Sequence, residues 1–309
     1  MHNAEVLSSE FAKTPSNYDM TFCRRLQQSK NSAVPAVISS LFAAVIGVWI
    51  FCVPAAAQGP KAIVFQEEFN GRSGSRPDSK KWTAEMGGNG WGNKELEYYS
   101  DSAANAYMDG SGSLVIKAVQ VPSPTSLVCW YGSCKYTSAR LITKGNFDFK
   151  YGRFEARIKI PQGQGVWPAF WLLGSNIDSV GWPECGEIDI MENIGREPAI
   201  VHGTVHGPGY SGAGGIGAPY NLRRVGAFAD DFHVYSLEWS ATEISWFVDG
   251  NKYKTLKPRD LPTGSKWVFD HPFFLILNFA VGGNWPGSPD QSSIFPQTML
   301  IDYVRIYAE

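Results

Sequence analysis

From about residue 60 onward, apolar and polar residues alternate in short runs broken by Gly, Pro, Asn and Asp. Phe154, Ala156, Ile158 and Ile160 interleave with Arg153, Glu155, Arg157 and Lys159. That period of two predicts a half-buried strand. Further strands are expected at Leu114–Val119, Phe232–Trp239, Glu243–Val248 and Met299–Tyr307. Asp249-Gly250 offers a tight hairpin turn between Val248 and the following Lys252-Tyr253. Phe273–Phe279 is apolar almost throughout, as a strand covered on both faces would be. No amphipathic helix, internal repeat or Pro/Ser linker interrupts residues 60–309. The pattern predicts one all-β sandwich of the jelly-roll kind.

The beginning of the chain has a different character. Residues 33–53 form the one long apolar run, preceded by Arg24, Arg25 and Lys30 and followed by Pro54-Ala55-Ala56-Ala57. A basic flank, an apolar stretch and a small-residue exit read as a secretory signal over 1–57, cleaved after Ala57. The protein is therefore expected to be secreted or periplasmic, with residues 58–309 as its mature domain. An uncleaved anchor is the competing reading, and the long leader leaves open a start at Met20. Cys129, Cys134 and Cys185 remain after the leader. Export favours a Cys129–Cys134 disulfide with Cys185 as a free thiol, and a zinc site competes poorly for want of a nearby His.

Composition narrows the partners. The full chain of 309 residues has a formal net charge of −2, with charged residues at 18%. Near-neutrality argues against a nucleic-acid binder. The 11 Trp are more than a core of this size needs, so some are expected to face a ligand.

The chemistry concentrates in Gly186-Glu187-Ile188-Asp189-Ile190-Met191-Glu192-Asn193. Glu187 and Asp189 share one face of a strand, and Ile188 and Ile190 share the other. Strict alternation would then bury Glu192. A β-bulge at Ile190–Met191 removes the conflict by returning Glu192 to the face of the other two acids. Three carboxylates in one row cannot all ionise cheaply, so at least one keeps its proton to higher pH. One ionised and one protonated carboxyl group flanking a bond is what glycoside hydrolysis requires. A metal site or a charged edge would show the same bare triplet. Trp167, Trp171 and Trp182 just upstream supply indole faces suited to sugar rings, and Asn193 and His206 follow. Trp239 and Trp246 are expected in the core. His202, His233 and His271 read as structural or exposed. Gly207–Gly212 matches a dinucleotide fingerprint only formally, and reads as a flexible loop beside the cleft.

With these residues in view, the chain resembles family 16 glycoside hydrolases, and within them the laminarinase branch of endo-β-1,3-glucanases. The resemblance is carried by Trp167-Pro-Ala-Phe-Trp171 and by Trp182-Pro-Glu-Cys-Gly-Glu187-Ile-Asp189-Ile-Met-Glu192. Gly92-Asn93-Lys94-Glu95-Leu96-Glu97, Gly203-Thr-Val-His206 and Val281-Gly-Gly-Asn-Trp285 add to it, and it spans about Phe65 to Tyr307. It implies a concanavalin A-like sandwich of two curved antiparallel sheets with a substrate cleft on the concave face. It further implies Glu187 as nucleophile, Glu192 as general acid/base and Asp189 between them, in a retaining double displacement. His206 is then expected near the acid. Trp167, Trp171, Trp182, Trp285, Asn93 and Arg140 become candidates for the glucan cleft. Glu68 and Asp302 match a structural Ca²⁺ site, and no cofactor is expected in catalysis. Lys94 stands where a second Asn is common in laminarinases, which leaves one subsite open. The expected partner is a β-glucan polysaccharide, with no nucleic acid and no membrane beyond an uncleaved signal segment, and the protein is expected to be a monomer. Mixed-linkage β-1,3/1,4-glucan or another polysaccharide is the alternative substrate. A non-catalytic β-glucan-binding module is the alternative of another class, and the intact acids argue against it.

Overall fold

The computed structural model describes residues 61–122 and 124–309, so the expected leader and its cleavage point lie outside the described residues. Two sheets of ten and seven strands stack across one shared apolar core, the jelly-roll sandwich that the alternation predicts. Strand pairing is antiparallel except between Glu97–Tyr99 and Tyr136–Ser138. The seven-stranded sheet runs, in spatial order, Ile216–Asn221, Ile200–His206, Glu187–Glu192, Val166–Gly174, Phe273–Val281, Arg140–Ile142 and Thr83–Glu85.

The period of two explains how the core is filled. In Phe273–Val281 every residue is buried. Phe273, Leu275, Leu277, Phe279 and Val281 enter the main core between the sheets. Phe274 and Ile276 point the other way, into a smaller cluster with Ile142, Leu173 and Cys185 on the sheet's outer face. The run is therefore apolar because it serves two clusters, as its composition predicts. Asp249 and Gly250 both take positive φ, 48° and 75°, in a two-residue turn that pairs Val248 with Asn251. That is the mirror-image turn whose twist suits a hairpin, and glycine adopts it without steric cost.

Trp239 and Trp246 are both buried, as expected. Trp246 does more than fill space, because its indole N–H donates to the Asp189 carbonyl at 2.8 Å. One strand of the ten-stranded sheet is thereby tied to the middle of the acidic strand. Room for that indole comes from Gly203, where a Cβ would lie 2.4 Å from the Trp246 ring. Replacing Trp246 with Ala should destabilise the domain by about 3–5 kcal/mol through the cavity and the orphaned carbonyl. Urea unfolding followed by fluorescence and circular dichroism measures this. A loss below about 1 kcal/mol would refute the tie.

Candidate active site

The acidic strand carries the bulge that its sequence requires. Asp189 stands opposite Trp171 and Met191 opposite Phe170, so Ile190 has no partner of its own on that side. On the other side Asp189 faces Thr204 and Glu192 faces His202, with two intervening residues, Ile190 and Met191, against one, Gly203. Ile188, Ile190 and Met191 all enter the main core. Glu187, Asp189 and Glu192 are left together on the outer face.

The two glutamates each have an indole donor. The Trp182 indole N–H donates to Glu187 Oε2 at 2.8 Å, and the Trp167 indole N–H donates to Glu192 Oε1 at 3.1 Å. His206 Nε2 lies 3.2 Å from Asp189 Oδ2 and 3.8 Å from Glu187 Oε1. His206 was expected beside Glu192. It instead stands opposite Glu187, because antiparallel pairing sets His206 against the start of the acidic strand and His202 against its end. His202, read as structural from sequence, therefore occupies the acid's end of the row. Its Nε2 lies 3.0 Å from Glu197 Oε2, and its ring packs edge-on against Trp285. Trp285 in turn meets Trp167 at 5.6 Å in a T-shaped pair.

The electrostatics separate the three acids. Burial pushes Glu187 up to about 8, assisted by Asp189 and opposed by His206, Trp182 and Arg140. Burial also pushes Asp189 up to about 8. Glu192 rises well above the carboxylate range, first by burial and then by repulsion from Asp189, with His206 and Trp167 pulling it down. Glu187 has the Trp182 N–H at 2.8 Å and the pull of Arg140, whereas Glu192 feels both other acids as repulsion. Glu187 thus ionises more readily, and Glu192 holds its proton longest.

Beyond the acids, the row continues over three more strands. The Trp171 indole N–H donates to Asn278 Oδ1 at 2.7 Å. The Asn278 amide donates to the Tyr99 hydroxyl at 3.1 Å, and that hydroxyl donates to Glu95 Oε2 at 3.0 Å. Glu95 and Glu97 are buried side by side, and burial pushes both up, Glu97 well above the carboxylate range. Arg140 is paired with Glu85 and sandwiched between Trp91 at 4.9 Å and Trp171 at 4.8 Å. Arg140 thus fixes two indoles by cation–π contact. Asn93 donates its amide to Glu95 at 3.2 Å and accepts the Asn284 N–H at 2.7 Å, joining its loop to the Trp285 loop. Sequence reasoning missed Glu95, Glu97, Tyr99, Asn278, Trp91 and His202. The first three stand in or beside the quoted Gly92–Glu97 motif, yet nothing in their spacing shows that they face Asn278.

Two expectations meet a different local setting. Glu68 gives both carboxylate oxygens to Arg305, at 2.7 and 2.8 Å, and Asp302 Oδ2 accepts from Arg157 at 2.7 Å. Arg157 lies on the strand Gly152–Lys159, which flanks Asp302 and Tyr303 at a register shift. Two carboxylates already neutralised by separate guanidinium groups do not fit a cation cradle. The Gly207–Gly212 loop is anchored, since Tyr210 is buried and its hydroxyl donates to the Lys266 carbonyl at 2.7 Å. The Cys129–Cys134 disulfide is present and Cys185 is a buried free thiol, as the sequence favours. Glu187, Asp189 and His206 lie close enough to hold a metal ion. An ion there would have to displace the shared protons and compete with the Trp182 donor.

A row of crowded, partly buried acids with indole donors and a lining of Trp fits a polysaccharide hydrolase. The model of the glycosyl hydrolases family 16 matches residues 91–305. The chain belongs to that family. Among its relatives is the beta-glucanase of Rhodothermus marinus, 42% identical over 79% of this chain and 84% of the relative. The glucan endo-1,3-beta-glucosidase A1 of Niallia circulans is 38% identical over 80% of this chain, which spans only 38% of that longer protein. The laminarinase catalytic domain of Thermotoga maritima superposes with a TM-score of 0.75 at 48% identity, covering 81% of this chain and 99% of that domain. This family 16 member is accordingly a glycoside hydrolase with the jelly-roll fold of the laminarinases.

Acids whose pKa is raised on folding contribute stability that is lost as pH climbs. The unfolded carboxyl groups ionise near 4, whereas Glu187 and Asp189 ionise at about 8 in the fold. The melting temperature should therefore fall between pH 5 and about 8, and Asp189→Asn should flatten that fall. Melting curves from pH 5 to 9 measure both, and parallel profiles would refute the crowding. EDTA should leave the melting temperature unchanged, because Glu68 and Asp302 hold arginines; a drop would restore the cation site.

Proposed function

We propose that the protein is a secreted, retaining endo-hydrolase of β-1,3-glucosidic linkages in laminarin-like glucans. The carrying observation is the unequal setting of Glu187 and Glu192 on one bulged strand, each met by its own indole N–H. In the first step Glu187, as carboxylate, attacks the anomeric carbon while Glu192 gives its proton to the departing glycosidic oxygen. A covalent glycosyl-enzyme forms and the reducing-side fragment leaves. Glu192, now a carboxylate, takes a proton from water as that water attacks the same carbon and frees Glu187. Asp189 shares a proton with Glu187, and the negative charge that this pair carries keeps Glu192 protonated.

The rest of the row supports an endo action. From the His202 strand to the Glu85 strand it crosses six strands, about 24 Å at the usual spacing. Several sugar rings fit along that length on either side of the acids. A near-neutral chain suits an uncharged glucan, and the relatives named as glucanases favour the β-1,3 linkage. A binding module would have no use for three acids held against their ionisation, so the catalytic reading is preferred. The leader and the disulfide support export.

Laminarin, lichenan, curdlan, agar and xyloglucan compared side by side, with product sizing, test the substrate. Laminarin and curdlan should be cut to mixed oligosaccharides. Glu192→Gln should lower laminarin hydrolysis roughly 10²–10⁴-fold, and Glu187→Ala at least as far, without loss of the folded circular dichroism spectrum. Near-wild-type rates in either variant would sink the mechanism. Proton NMR of the earliest product should show the β-anomer, and an initial α-anomer would exclude retention.

A further inference from the structure

We propose that Trp130, at the tip of the disulfide hairpin, is a distal subsite that stacks on an outer sugar ring of the same glucan chain. The proposal rests on the reading of the protein as a β-glucan hydrolase. Val128–Cys129 and Gly132–Ser133 pair as a two-stranded hairpin outside both main sheets, with Trp130 and Tyr131 at its turn. The Cys129–Cys134 bond closes the hairpin.

The hairpin is fastened to one particular segment. The Trp130 backbone N–H donates to the Gly88 carbonyl at 2.7 Å, and its indole N–H donates to the Glu95 carbonyl at 2.7 Å. The Tyr131 hydroxyl donates to the Leu96 carbonyl at 2.5 Å. Gly90 packs under the indole, where a Cβ would lie 2.8 Å from it. All of these partners fall within residues 88–96, the loop that carries Trp91 over Arg140 and Asn93 beside Glu95. Trp130 is thus fastened to the loop that supplies Trp91 and Asn93 to the cleft.

Its orientation decides the ligand. The only polar atom of the side chain is satisfied inward, yet the residue remains 48% exposed. What faces solvent is therefore apolar ring surface, held rigid by main-chain bonds and a disulfide. Leaving the exposed part of an indole in water forfeits burial that a ligand can recover. A pyranose ring presents a patch of C–H groups on its face and hydroxyls at its rim, which matches an immobilised indole beside polar loops. Prior fixing of the ring also removes the ordering cost from binding. The occupant is the continuing glucan chain, because the surface joins the row that already crosses the acids.

Steady-state kinetics on laminarin and on laminaritetraose test this. Trp130→Ala should lower kcat/KM for laminarin about tenfold more than for the tetrasaccharide, mainly through KM. Trp130→Phe keeps a stacking face but loses the bond to Glu95, and should restore most of the laminarin preference. Replacing Cys129 and Cys134 together by Ala should lower that preference in the direction of Trp130→Ala. An equal loss on both substrates, or no loss on either, would overturn the subsite. So would a Trp130→Phe variant as impaired as Trp130→Ala, since the hydrogen bond and not the face would then matter. Failure of the wild type to cleave either substrate would overturn the parent reading, and the subsite with it.

Discussion

One extra residue in the acidic strand governs the site. Because Ile190 and Met191 both turn into the core, Glu192 returns to the face that Glu187 and Asp189 already occupy. Without the bulge, Glu192 would be driven into the apolar interior and the row would hold only two acids. The insertion costs a ladder position, and the core offsets that cost by burying two large side chains in succession. Trp246 reinforces the arrangement from below by holding the Asp189 carbonyl. Packing of the hydrophobic interior and placement of the catalytic groups are consequently one event.

Much of this is legible in the residues. The alternation of strand Phe154–Ile160, the doubly apolar run Phe273–Phe279 and the Asp249-Gly250 turn each report local physics, and each reappears in the fold. The bulge is legible for the same reason, since an ionisable residue at an inward position is too costly to leave there. Cross-strand facts are less accessible. Which end of the acidic strand His206 faces depends on how the strand Ile200–His206 registers against it, and neither strand's pattern states that register. The chain Glu95–Tyr99–Asn278–Trp171 joins segments far apart in sequence, so its members look like ordinary strand and loop residues until the sheets are assembled. Glu68 and Asp302 mislead in the opposite direction. The family resemblance suggests a cation there, but Arg305 and Arg157 supply positive charge to the two carboxylates from within the fold.

The site is held at some expense. Glu187, Asp189 and Glu192 ionise late because water is largely excluded, and Glu95 and Glu97 form a second buried acidic pair nearby. Such groups favour the unfolded chain as pH rises, so they are retained for what they do and not for stability. Two apolar clusters lie on either side of the seven-stranded sheet, and their burial is the natural counterweight. The outer cluster of Ile142, Leu173, Cys185, Phe274 and Ile276 also adjoins Trp171, giving that indole a packed flank.

The choice of donors explains how the acids keep different protonation states so close together. An arginine paired directly with Glu192 would hold it ionised, as Arg305 does for Glu68. Indole N–H groups are neutral: they orient a carboxyl oxygen with a hydrogen bond and supply no full charge to lock it. Trp182 and Trp167 are placed this way on Glu187 and Glu192. Arg140 joins His206 in pulling Glu187 towards ionisation, and it is kept at a remove by Glu85 and by the two indoles around it. Its field reaches Glu187 weakly enough to favour ionisation there without stripping the proton from Glu192. Tryptophan in this cleft therefore has two separable uses: indole faces for sugar, and indole N–H groups that set the geometry of the acids while leaving their charge free to change during turnover.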